Sequence, residues 1–222
     1  MNTLSVQIAD NDVKNDAVMK RVMSNMFCAC FAIVQSVNYE NQTLEAIPTI
    51  RRKCKNKDGT VTNIELDPLL DVPFQCPSGG GFVATFPVKP NDEVLIVFTD
   101  VDYSAWWQNG GIQNTEHQFK HNMCNAVALI GYRSEPNSIP NYNANGVELR
   151  NNDGTEFISM QSGLIALKTD TINLTANSIN INGATVVTGT LNTTDTTTIQ
   201  GKEFLPHTHT TTTEGSPTSG VN

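Results

Sequence analysis

"GGGFVATFPVKPNDEVLIVFTD", residues 79–100, sets an apolar run on either side of Pro90-Asn91-Asp92. Val, Ile and Phe suit a pleated, half-buried surface, and Pro-Asn-Asp is turn chemistry, so the stretch reads as two strands joined at Pro90. The same signals recur on both sides. "CACFAIVQSVNYENQTLEAIPTIRRK" (28–53) offers two strands about an Asn-rich turn at Asn41. "KNKDGTVTNIELDPLLDVPF" (55–74) has a turn at Asp58-Gly59 followed by β-branched residues, and "NAVALIGY" (125–132) is a short apolar strand. Five or six short strands with turn punctuation and barely any helix predict a small barrel of the oligonucleotide/oligosaccharide-binding (OB) type over 27–135.

Composition narrows the function classes. The chain has 222 residues and a formal net charge of -8. An acidic surface repels a phosphate backbone and gains nothing from anionic headgroups, which argues against nucleic acid as a partner and against electrostatic adsorption to a membrane. The first residues, "MNTLSVQIADNDVKNDAVMKRVMSNM", lack an unbroken apolar core, so no signal peptide is expected. No segment reaches the run of about 18 or more apolar residues of a spanning helix. The five cysteines (Cys28, Cys30, Cys54, Cys76, Cys124) are odd in number and irregular in spacing. They read as small buried hydrophobes of a reduced protein rather than as a disulfide framework.

Before the barrel, residues 1–26 are polar, with Val13, Val18, Met19, Val22, Met23 and Met26 spaced for one helical face. That spacing predicts a helix over roughly 10–25 whose apolar side packs on something, such as a neighbouring subunit.

Beyond the barrel the chain changes character. Residues 147–203 hold twelve Thr and seven Asn, a single aromatic residue (Phe157) and no proline. Apolar residues alternate through Ile158, Met160, Leu164, Ala166, Ile172, Leu174 and Ala176, then shift phase to Ile179 and Ile181, as at a corner. Glycines at 154, 163, 183, 189 and 201 punctuate the series. One copy of such a stretch buries too little to offset backbone ordering, about 1–2 kcal/mol per residue, and exposes long sheet edges. The alternation argues against disorder, which leaves intertwining with other copies so that the apolar stripes face a shared axis.

His207-Thr208-His209 follows that stretch. In an extended chain, residues i and i+2 point to the same side, so both imidazoles face one axis. Two ligands make a poor site, whereas three chains supply six nitrogens. An octahedral set does not match the tetrahedral habit of structural zinc and suits a first-row ion such as iron(II), with nickel or cobalt as open alternatives. The other histidine spacing, His117-x3-His121, has no third ligand nearby and reads as a loop.

The segment "DVPFQCPSGGGFVATFPVKPNDEVLIVFTDVDYSAWWQNGG" (71–111) resembles the N-terminal domain of the membrane-puncturing central baseplate spikes of contractile-tailed phages. The residues that carry the likeness are Asp71-Val72-Pro73, Gly79-Gly80-Gly81, Phe82 to Pro87, Pro90 to Glu93, and Trp106-Trp107 to Gly110-Gly111. The likeness is close over this segment and looser over the whole domain. The H-x-H with its Thr-rich tail resembles the same family's apex, although the last residues, "EGSPTSGVN", are only loosely similar.

The resemblance implies an all-β homotrimer. Its parts are a short helical segment (1–26), an OB barrel (27–135), an intertwined β-helix needle (136–203) and an apex (204–222). There His207 and His209 of three chains would hold one iron ion, Fe(II), in an octahedral set of six nitrogens. It also implies a virion protein at the tail tip, docked through its barrel on a tail-tube hub or baseplate protein and driven mechanically through the host outer membrane on tail contraction.

Other readings share some of these features. The spike of a bacterial injection or type VI-like secretion machine would be the same physical object. A trimeric receptor-binding tail fibre should end in an aromatic-rich tip, and only thirteen small polar residues follow His209. An enzyme is not expected, since neither G-x-S-x-G nor H-E-x-x-H occurs. Glu148, Asp153 and Glu156 read as solvated edge charges, Trp106-Trp107 as core or subunit packing, and Gly79-Gly80-Gly81 as a tight turn lacking the Lys-Ser/Thr of a phosphate loop.

Overall fold

The computed structural model of the chain describes residues 3–24, 26–194, 197–199 and 202–203. The chain divides into two units, 1–167 and 168–222. In the first, helix α1 (Thr3–Ser24) leads into strands β1 (Ala29–Asn38) and β2 (Thr43–Pro48). A small hairpin follows, β3 (Arg52–Lys55) and β4 (Val61–Ile64), then β5 (Leu69–Gln75) and a second small hairpin, β6 (Ser78–Gly79) and β7 (Phe82–Val83). Next come β8 (Glu93–Phe98), the short helix α2 (Ser104–Asn109) and β9 (Ala126–Leu129). The helix begins seven residues earlier than the spacing predicts and ends one residue earlier. No helix among the described residues is long and apolar enough to cross a membrane.

Five strands close into a barrel in the order β1-β2-β5-β9-β8. All pairings are antiparallel except β5 with β9, which run parallel. Numbered within the barrel, this is 1-2-3-5-4 closing on 1, the Greek-key order of an OB fold. Bulges in β1, between Val34 and Ser36, and in β2, between Leu44 and Ala46, supply the strand bending that closure requires.

Alternation decides what lies inside. Val94, Ile96 and Phe98 of β8 point inward with Ala32, Val34, Leu44, Ala46, Val72, Phe74, Ala126 and Ala128. The alanines let five strands close around a narrow interior. Ile96 is fully buried at its centre. An Ile96→Ala chain is expected to lose about 2–5 kcal/mol of barrel stability in denaturant titration; a loss below about 1 kcal/mol would mean the interior collapses around the gap.

The opening stretch departs from its expectation. Only Glu93–Phe98 enters the barrel, whereas Phe82–Val83 forms a two-residue pairing with Ser78–Gly79 and 84–89 has no regular structure. Gly80 and Gly81, at φ of +59° and +84°, form the turn between the two segments; beyond Val83 the pairing is bounded by Pro77, and Pro87 further on likewise lacks an amide hydrogen to donate. The turn at Pro90 does form: Asp92 Oδ2 accepts from the Lys89 amide at 2.8 Å, and the Asn91 amide donates to Val34 O at 2.9 Å. The cysteines depart as well. All five are free thiols; Cys28, Cys54 and Cys124 are exposed, whereas Cys30 and Cys76 are half-buried and pack against the barrel core.

After β9 the chain forms a three-stranded sheet of β10 (Gly146–Arg150), β11 (Phe157–Gln161) and β12 (Leu164–Lys168), in that order. Gly146 is required here, because an added Cβ would lie 2.5 Å from Met160 O across the strand pair. The second unit contains a short pairing of β13 (Thr198–Ile199) with β14 (Lys202–Glu203). The chain is thus mostly β, with a closed five-stranded barrel in its N-terminal region.

Candidate functional site

The sheet β10–β12 is built the wrong way round for a lone chain. Across β10 and β11, Val147 pairs with Met160 and Leu149 with Ile158, which puts four large apolar side chains on one face. That face is bare: Leu149 is 64% exposed and Ile158 52%. The opposite face carries Glu148, Arg150 and Ser159 and is sheltered. Side chains of Glu148 and Arg150 keep only 14% and 12% of their exposure and lie 3.6 Å apart. Asn143 Nδ2 donates to Glu148 Oε1 at 2.7 Å, and Arg150 donates to the carbonyls of Pro140, Asn141 and Asn152. Ser159 is buried. Glu148 is therefore not the solvated edge charge its sequence position suggests: it and Arg150 clasp the incoming linker 140–143 to the sheet.

A second irregularity follows it along the chain. Among the described residues, 170–194 contain no strand, and their backbone groups make no backbone hydrogen bond with one another. Ile172, Leu174, Ile179, Ile181, Val186, Val187 and Leu191 are all at least half exposed. Within 170–194 large apolar side chains are thus bare along a run that has no strand of its own.

His207 and His209 lie outside the described residues. Among the described residues, no group of three or more His, Cys, Asp or Glu is placed to hold a metal. What bears on the metal expectation is the chemistry of the donors: imidazole nitrogens two residues apart suit a divalent first-row ion, and two from one chain do not fill its coordination.

The remaining histidines are engaged elsewhere. His117 Nδ1 lies 3.0 Å from Asp102 Oδ2 and its ring stacks on Phe119, while His121 Nε2 lies 3.2 Å from Asp100 Oδ1. Asp102 also accepts from the hydroxyl and amide of Ser104, at 2.7 and 3.1 Å, and so fixes the start of α2. These Ser104 bonds, followed by those from His117, hold the Asp102 carboxyl well below its ordinary value of 3.8. A depressed folded-state pKa contributes stability that is present above pH 3.8 and lost only as pH falls through the lower folded value. The emission of Trp106 and Trp107 on α2 is thus expected to hold steady as pH drops past 3.8. A transition centred at 3.8 would contradict the geometry.

Beside Asp102, Tyr103 anchors α2 to the barrel by donating to Ala126 O at 2.6 Å. Burial, and then the Asp102 charge, push its phenol up to about 12. Trp106 is 48% exposed on this helix, so it is not the core residue its type suggests. Gly79-Gly80-Gly81 belong to the β6–β7 hairpin, which supports the tight-turn reading.

Residues 31–131 match the family model described as the phage protein Gp138 N-terminal domain. No curated protein matches the chain. The matched span covers the barrel and stops before the three-stranded sheet. This likeness supports a phage structural protein of the baseplate or spike type and a place in the virion.

Proposed function

We propose that the chain is the central spike at the tail tip of a contractile-tailed phage, acting as a homotrimer. The observation that carries the reading is the inverted sheet β10–β12: its charged face is covered by its own chain, and its apolar face is left for others. Three copies about an axis bring those faces together, and the unpaired run 170–194 finds its backbone partners in the neighbouring chains. Such winding removes free sheet edges along the shaft, and a shaft without edges resists fraying and buckling under axial load.

In this reading the function is mechanical. The barrel, which resembles a phage N-terminal domain, docks on the tail-tube hub or another baseplate protein. The needle (136–203) and apex (204–222) point forward, and sheath contraction drives them through the host outer membrane. His207 and His209 of the three copies would together hold one iron ion, which supplies a cross-link where the strands end. The chain performs no chemistry on a substrate.

Electron microscopy of the isolated protein tests the reading. A blunt head with a single tapering rod is expected. Compact particles without a rod would overturn it.

A further inference from the structure

The described part of helix α1 leaves its apolar side chains bare. Every described side chain along it, 13–23, is exposed, including Val18, Met19, Val22 and Met23. A helix of 22 residues with this polar composition is marginal in water by itself, so the helical state calls for a partner.

The sequence says which partner. Leu4, Ile8, Asn11, Asn15, Val18 and Val22 follow one another at alternating steps of four and three, the a/d register of a coiled coil. The two middle positions of this seam are asparagines. A carboxamide both donates and accepts, so the group that best satisfies it in a closed seam is another carboxamide at the same level. An apolar groove on a different protein would leave both asparagines unpaired. Identical helices in register satisfy them. Val at both an a and a d position, 22 and 18, favours more than two strands. Lys14 falls at a g position, where its methylene stem can lie along Met19 of the next helix.

We propose that α1 forms a parallel, in-register, three-stranded coiled coil with α1 of two further copies. The strand number and direction rest on the trimer proposed above, since copies related by a rotation axis point the same way. The Asn layers set the register and exclude mismatched partners. The barrels, joined to α1 by residues 25–28, are then fastened at the start of the chain independently of the shaft.

The test uses the full-length chain and reads mass and helicity together. In the unmodified trimer, the helical band in far-UV circular dichroism is expected to disappear on Val18→Asp with Val22→Asp while the trimer mass persists. Asn15→Val is expected to raise the melting midpoint of that band, because an apolar layer replaces a polar one inside the seam. A trimer whose helical band is absent, or survives Val18→Asp with Val22→Asp, would overturn the coiled coil alone, as would an unchanged midpoint in Asn15→Val. An unmodified chain that is not trimeric would instead overturn the spike reading on which the strand number rests.

Discussion

A chain carrying Leu149→Asp, Ile158→Asp and Leu174→Asp, in a background where Val18→Asp and Val22→Asp have already removed the helix seam, is expected to sediment as a monomer with its barrel still folded. Leu149 and Ile158 oppose each other on the bare face of the sheet, and Leu174 is 70% exposed in the unpaired run. None of the three belongs to the barrel core. In a three-fold assembly each substitution occurs three times around one axis. Every site loses about 1.5–3 kcal/mol of apolar burial per copy and gains an unpaired carboxylate that costs several kcal/mol more. The total far exceeds the margin by which proteins are stable. Tryptophan emission from Trp106 and Trp107 should be unchanged, since both sit on α2 beside the barrel. If the variant remains trimeric, the bare face is not the interface.

The second large effect concerns the apex. Purified without an affinity tag, the protein is expected to carry about one metal ion per three chains, and His207→Ala with His209→Ala should reduce that to none. The trimer itself should survive, because in the proposed assembly the apolar faces, rather than the ion, supply most of the association. What the variant should lose is resistance to fraying: proteolysis should begin in the last residues, where the ligands stood. If the double variant dissociates, the ion carries the association and the apolar shaft has been misjudged. If the metal remains with both histidines gone, the site lies elsewhere.

The barrel was legible in the sequence because its signals are local. The turn at Asn41 joins β1 to β2, the turn at Pro90 leads into β8, and β-branched alternation in β8 marks the inward residues Val94, Ile96 and Phe98. The strand expected before Pro90 forms only over Phe82–Val83, because its pairing partner is bounded by Pro77, which has no amide hydrogen to extend the ladder. Helix α2 was missed. At six residues it is too short for a periodic signature, and its start depends on Asp102 bonding to Ser104.

The role of Glu148 and Arg150 was illegible for a different reason. Alternation identifies two faces of a strand but not which face is covered, and the cover here is a linker folded back from 140–143. Cys28, Cys54 and Cys124 are exposed although cysteine as a type prefers the interior, so composition misled where position decided. The apolar alternation through 158–181 is plain in the sequence, but alternation does not say what covers it, and the side chains it marks, such as Ile158, Leu174 and Ile181, are at least half exposed in the single chain.

The most direct test of the assembly is the mass of the unmodified protein at micromolar concentration by sedimentation equilibrium. Winding about a three-fold axis predicts about three times the chain mass of 24.2 kDa. A single-chain mass, with 147–191 protected from protease by contacts within one copy, would contradict it.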